Sequence, residues 1–367
     1  MNIGKAVNKY IEILESDTFA RYEKDLSESL TSALSDCYQN SRGEPEMVKI
    51  IEKVINNFNK SNVESKQPYF KISTNGIFIH GYPKGSGVVF DYYGKSTHKE
   101  LGDIIFIVSI IFNGQKYFEK FTINQFKKDK QSRKSISWDI KNKEQLYLLS
   151  RFPKFKGVKG SLVPQRDFNL PNYSGCLGSY GLLYSPGDFA FVSATRLDSY
   201  LGSSKKINGD DLFLIRERGD LIDVREWRHF WHDWIHMVDL CKHFCGFRRD
   251  ICCFQYPNPM FMGNCHFAGN IFDFVDKYLR LCIGEPTETK LGRSNRHARD
   301  FLNELMFALR RKAERDKLSN VLNFVDGFSK YRYSSNESED YSRNNNIKID
   351  FGGGGLGIIH TVINLGE

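Results

Sequence analysis

An almost unbroken β-branched run, Ile104-Ile105-Phe106-Ile107-Val108-Ser109-Ile110-Ile111-Phe112, is followed at once by Asn113-Gly114-Gln115 and then by a second run from Lys116 to Phe126. β-Branched and aromatic side chains suit a pleated strand, and a short Asn-Gly turn between two such runs is a hairpin signal. The spacing predicts strands over Leu101 to Phe112 and Lys116 to Phe126, paired across that turn. Such a pairing brings Asp103, near the start of the first strand, to the same end of the sheet as Gln125 and Lys127. These last two are two residues apart, so their side chains leave the same face.

A carboxylate, an amide oxygen and an ammonium gathered in this way are the working parts of a metal-dependent phosphodiesterase. The oxygens suit Mg²⁺, a hard ion. The ammonium helps to orient or deprotonate the attacking water and offsets charge in the transition state. A plainer reading stands beside this one, in which Asp103 is a strand-edge residue and Gln125/Lys127 a solvated surface pair. The order of Asp103, apolar strand, Gln-x-Lys terminus and following amphipathic helix favours the first.

Glu100-Leu101-Gly102-Asp103, the long apolar strand, Gln125-Phe126-Lys127-Lys128 and the later Glu144-Gln145-Leu146-Tyr147-Leu148-Leu149 resemble the PD-(D/E)XK superfamily of restriction-endonuclease-like nucleases over residues 20 to 160. More narrowly, they resemble its divergent D…(E/Q)xK branches among prokaryotic defence and mobile-element proteins. The resemblance implies an α/β fold, a restriction-endonuclease-like mixed sheet flanked by helices. It implies Asp103 and Gln125 as ligands of Mg²⁺ or Mn²⁺ and Lys127 as the catalytic lysine. Glu23, on the helix before the sheet, is the further acid and metal ligand it points to, ahead of Glu28, and Glu100 is an auxiliary acid. Their plainer roles are a solvated helix acid and an edge charge. The departure from the commonest pattern is Gln125, a neutral ligand where Glu or Asp usually stands. DNA is the substrate implied, with Lys128, Lys130 and Arg133 steering its backbone and an ATPase, helicase or other defence subunit supplying recognition.

At 367 residues the chain exceeds a usual single domain. We read residues 1–160 as the nuclease-like domain with its N-terminal helices, and 161–367 as an accessory α+β region, mainly helical, with a glycine-rich β segment at its end. A 14% aromatic content argues against a disordered scaffold. The net charge of +8 suits a polyanionic partner, and Lys127, Lys128, Lys130, Arg133 and Lys134 crowd behind the proposed site. No secretion signal is visible, and the longest apolar run is too short to cross a bilayer. These features predict a cytoplasmic protein without a membrane partner, with self-association left open. The eight cysteines then read as reduced thiols.

Phe19, Tyr22, Leu26, Leu30, Ala33, Leu34 and Cys37 recur at helical spacing, and Glu46 to Phe58 repeats the pattern after a break at residues 40–45. Short strands are predicted over Tyr69 to Ile72, Ile77 to Tyr82 and Val88 to Tyr92, and a helix over Asn142 to Phe152, ending before Pro153. Residues 157–190 read as loops and short strands. Glu226 to Phe247, with Cys252, Cys253, Cys265 and His266 after it, is dense in His, Cys and Trp. A zinc-organised interaction region is the alternative there, but Cys241-x3-Cys245 and Cys252-Cys253 match no closed ligand pattern. A buried, cysteine-rich helix explains the stretch more simply. His297 to Lys317 is an amphipathic helix with a basic end, and Tyr331 to Asn346 a polar loop. The final glycines at 352–357 formally satisfy G-x-G-x-x-G, yet β-branched residues follow them, so a hairpin or glycine turn in a terminal sheet is predicted. No GxxxxGK[ST] phosphate loop occurs.

Overall fold

The β-branched run lies at the centre of a mixed sheet. In this computed structural model, residues 3–58, 63–66, 69–80, 85–132, 135–202, 204, 206–217, 264–289, 294–333 and 355–366 are described. The chain opens with helices α1 (Ile3–Leu14), α2 (Asp17–Gln39) and α3 (Glu44–Phe58). Strands β1 (Val63–Lys66), β2 (Tyr69–His80), β3 (Gly87–Tyr92), β4 (Lys95–Glu100), β5 (Ile104–Phe112), β6 (Gln115–Lys128), β7 (Lys130–Ser132) and β8 (Ser135–Asp139) follow. Helix α4 (Lys143–Arg151) leads to β9 (Phe155–Gly157), β10 (Gly178–Tyr184), β11 (Asp188–Ser193), α5 (Ala194–Leu201), β12 (Lys206–Asn208) and α6 (Gly209–Glu217). Beyond these come β13 (Phe267–Ala268), α7 (Ile271–Leu279), β14 (Glu285–Thr289), α8 (Arg296–Asp316), α9 (Ser319–Tyr333) and β15 (Gly355–Asn364).

Among the described residues, nine strands form the main sheet in the order β1-β2-β15-β5-β6-β10-β11-β13, with β14 also paired to β6. The β5/β6 pair is antiparallel, while β6/β10 and β15/β5 are parallel. One face packs under α4, α5, α8 and α9, and the other under α1, α2, α3 and α7. The protein is therefore α/β, a mixed sheet flanked by helices. Every residue of β5 is buried, and each Ile or Phe so removed from water contributes about 1.5–3 kcal/mol before chain entropy is set against it. Two smaller sheets, β12-β8-β7 and β4-β3-β9, lie beside this one.

The β5/β6 hairpin closes through Asn113 and Gly114, at φ 50 and 67. Left-handed conformation at both positions is what a two-residue hairpin of this twist requires, and Asn and Gly adopt it at least cost. Helix α4 also follows its sequence signals. The Asn142 side chain caps it by accepting from Gln145 N at 3.0 Å, and Phe152 closes it in the left-handed region.

Elsewhere distant contacts override local signals. The first two predicted short strands are not separate but one: β2 runs straight through Asn75-Gly76, where a break between Ile72 and Ile77 is predicted, beneath α3. A Cβ on Gly76 would lie 2.8 Å from Glu52 Oε1, and the Gly76 N–H donates to Asn56 Oδ1 at 3.2 Å. The final strand is no terminal hairpin either: β15 lies between β2 and β5, antiparallel to one and parallel to the other. Its run from Gly355 to Ile363 is wholly buried, as suits a strand covered on both faces. Residues 157–190, read as loops and short strands, contain β10 and the first half of β11, so the main sheet takes strands from both sides of residue 160.

Helix α8 matches the predicted amphipathic helix. Arg310 at its basic end pairs with Asp326 at 2.6 Å and Glu314 at 3.4 Å. Helix α9 continues to Tyr333, over the first three residues of the expected polar loop. Residues 334–346, and the Cys/His-rich stretch apart from Cys265 and His266, lie outside the described residues. No described helix is long and apolar enough to cross a membrane.

Candidate active site at the end of the β5/β6 hairpin

The register Ile104↔Asn124 sets Asp103 opposite Gln125 where the two strands meet. Gly102 lets the chain lie this close: a Cβ there would fall 2.7 Å from Ile123 Cγ2 and 3.1 Å from Asn124 O. The Asp103 N–H donates to Asn124 O at 2.8 Å, and the Asp103 carbonyl accepts from Gly357 N at 2.8 Å. The backbone of Asp103 is thus tied to both flanking strands.

Its carboxylate turns toward β6. Asp103 Oδ2 accepts from Gln125 Nε2 at 2.6 Å and from the Phe126 N–H at 2.7 Å. Phe126 is fixed in turn by a buried ring, edge-on to Phe189 with centroids 5.6 Å apart, and by Gly181 on β10. A Cβ on Gly181 would lie 2.3 Å from Phe126 Cε1, so the ring occupies space that only glycine leaves. Tyr180, beside Gln125 in the parallel register, is buried, and burial and the charge of Asp103 both push its phenol pKa up.

Lys127 lies two residues beyond Gln125, and its Nζ donates to Glu44 Oε1 at 2.7 Å. The other oxygen, Glu44 Oε2, accepts from the Lys128 N–H at 2.9 Å. Glu44 opens α3, where the helix dipole favours a negative charge. Sequence reasoning missed it by reading residues 40–45 as a break and starting the helix at Glu46. Pro45 was the available signal, since proline is favoured in the first turn of a helix.

The remaining expected acids divide. Glu100 ends β4, its carbonyl accepts from Gln145 Nε2 at 2.9 Å, and its charge acts on Asp103. Glu23 is not brought to this site. Its Oε2 lies 3.6 Å from Arg280, and Oε1 is buried without a hydrogen-bond partner among the described residues. It sits fifteen residues along α2 from Tyr38, or about 22 Å at the helical rise, whereas Tyr38 OH reaches Asp129 Oδ1, just past β6, at 2.8 Å. Burial outweighs Arg280 and raises the pKa of Glu23 to about 7.

Burial likewise raises Asp103 to about 7, against the Phe126 N–H and the charge of Lys127, which favour the ionised form, and with Glu44 and Glu100 adding to the rise. A desolvated carboxylate among other acids favours a bound proton or cation. The donor chemistry of Asp103, Glu44 and Gln125 is all oxygen and suits Mg²⁺ or Mn²⁺. Asp103 Oδ1 takes part in neither bond to β6. Gln125 directs its nitrogen at Asp103, so rotation of the amide would be needed to offer its oxygen on that side. Among the described residues no three His, Cys, Asp or Glu side chains gather closely enough to hold a metal by themselves. A cation here would depend on Asp103 with the amide or Glu44, and on water for its remaining ligands.

The expected steering cations are locally engaged. Lys128 Nζ donates to Arg42 O at 2.6 Å and lies 4.9 Å from the Tyr38 ring centroid, while Lys130 pairs with Asp139. Arg133 lies outside the described residues. Exposed pairs of this kind contribute about 1 kcal/mol or less and exchange readily for phosphate.

No family model matches this sequence, and no curated protein or solved structure does. The class that the structure itself defines is a mixed α/β sheet with an Asp-Gln-Lys-Glu cluster at one end of its central hairpin.

Proposed function

We propose that this protein is a divalent-cation-dependent nuclease that hydrolyses phosphodiester bonds, DNA in preference, at the Asp103 end of β5/β6. The observation that carries the reading is the Asp103–Gln125 bond across paired strands, with the Lys127–Glu44 pair two residues along β6 and near enough for both charges to act on Asp103. Asp103 and Gln125, joined by Glu44, would hold Mg²⁺ or Mn²⁺, which supplies Lewis-acid stabilisation of the phosphate and activation of water. Lys127, as an ammonium, orients the attacking water through its N–H donors and offsets charge building on the phosphate oxygens. Glu44 fixes the ammonium through one oxygen while the other holds the backbone of β6. Glu100 is an auxiliary acid at the rim. The resemblance to defence-associated nucleases adds a setting, cytoplasmic antiviral defence with an ATPase or helicase partner, by analogy only.

A second reading is favoured by one feature. The carboxylates are internally satisfied, Asp103 by Gln125 and Phe126 and Glu44 by Lys127 and Lys128. This would suit a catalytically silent nucleic-acid-binding or assembly subunit. Incubation with plasmid, linear duplex and single-stranded DNA in Mg²⁺, Mn²⁺ or EDTA, beside Asp103→Asn and Lys127→Met, separates the two. Metal-dependent cleavage by the parent, lost in both variants, supports the enzyme. Binding by all three proteins with no cleavage by the parent supports the silent subunit.

A further inference from the structure

A cluster of tyrosines lies away from the site, with Tyr92 and Tyr147 packed against the edge of the core and Tyr93 outside it. Tyr92 at the end of β3, Tyr93 in the turn to β4 and Tyr147 on α4 place their ring centroids 4.8, 5.1 and 5.2 Å apart. Tyr93 is 79% exposed, more than any other large hydrophobic side chain among the described residues. Its backbone lies at φ 50, followed by Gly94 at φ 82. These are hairpin positions where Asn, Asp or Gly fit, and a bulky L-residue there costs on the order of 1 kcal/mol. The turn therefore gives no local reason for an aromatic, and although Tyr93 rests on Tyr92 and Tyr147 it leaves most of its surface to solvent.

One exposed lysine beside the cluster is available to an anionic strand. Lys95, across the register from Tyr92, is exposed and pairs with no described residue. The nearby acids are each engaged: Asp91 by Gly94 N at 3.0 Å, Glu144 by Lys99 at 3.0 Å and Asp198 by Arg151 at 3.2 Å. From Lys95, β4 runs to Glu100, about 17 Å at the strand rise, and Asp103 follows three residues later. One strand thus joins the tyrosine cluster to the site.

Resting on the nuclease reading above, we propose that Tyr93, backed by Tyr92 and Tyr147, is a stacking platform for unpaired bases of the substrate strand. The strand's backbone passes Lys95, and Lys99 once it exchanges Glu144 for phosphate, toward Asp103. Aromatic faces stack any base, so the contact selects unpaired structure rather than sequence, and the lysines attract the phosphates.

The test is fluorescence anisotropy of a labelled oligothymidylate with the full chain in EDTA, so that binding is read without cleavage. Tyr93→Ala should weaken binding at least five-fold, the lower end for loss of one stacked base, while Tyr93→Phe retains parental affinity. Thermal melting should be unchanged for both. Equal affinity of parent and Tyr93→Ala, or no binding by the parent, overturns the platform. So does unchanged affinity accompanied by a dimer, seen in sedimentation, that Tyr93→Ala dissolves, since the patch then meets a second copy. Failure of the nuclease reading is seen separately, as platform-dependent binding without metal-dependent cleavage.

Discussion

Lys127 Nζ lies 2.7 Å from Glu44 Oε1, joining the end of β6 to the first turn of α3, 83 residues away in the chain. Both side chains are partly exposed, at 26% and 30%, so the pair contributes about 1 kcal/mol or less to stability. Its effect should therefore fall on chemistry. Lys127→Met is expected to lower the cleavage rate about 10²- to 10³-fold, the range for losing one charge-stabilising donor. Glu44→Gln should lower it roughly 10- to 100-fold, as loss of an orienting or ligating partner does. Single-turnover rates alongside melting temperatures check this, and a large drop in melting with unchanged rate would oppose it.

Asp103→Asn separates function from stability. The amide oxygen retains an acceptor for the Phe126 N–H, while a carboxylate that burial disfavours is removed. Cleavage should be abolished, and the melting temperature at pH 8 should equal or exceed that of the parent. Differential scanning calorimetry and the plasmid assay measure the two halves.

Glu52 on α3 is 8% exposed, and burial raises its pKa to about 7. Between its ordinary value near 4.5 and 7 the folded protein keeps this proton while the unfolded chain has lost it. The unfolded state then binds fewer protons, so stability falls as pH rises through that window. Glu52→Gln should flatten the decline and stabilise the protein at pH 8 by at most about 3 kcal/mol. Urea unfolding at pH 4.5, 6 and 8 shows it, and parallel curves for parent and variant would oppose it.

Gly181 links packing to the site. An alanine there meets the Phe126 ring, whose backbone N–H holds Asp103. Gly181→Ala should cost about 1–3 kcal/mol by overpacking, and it should also slow cleavage. Chemical denaturation and single-turnover rates read the two effects.

β15 lies between β2 and β5 although it comes last in the chain. Removing residues 355–367 would leave two long strands without a shared neighbour and uncover both faces of the core at its centre. Loss of cooperative unfolding in circular dichroism is expected. A truncated protein with the parental melting curve would contradict the central placement.

The sequence by itself determined the local pieces: the β5/β6 hairpin from its Asn-Gly turn, α2 and α4 from their apolar spacing, and the facing of Asp103 and Gln125 from strand register. These rest on contacts between residues near in the chain, where backbone periodicity and turn chemistry suffice. Tertiary structure alone decided that Glu44 rather than Glu23 is the helix acid beside the site, that Asn75-Gly76 passes straight under α3, and that β15 enters the middle of the sheet. Each is settled by burial and hydrogen bonding between segments tens to hundreds of residues apart. Those energies outweigh local propensities of about 1 kcal/mol.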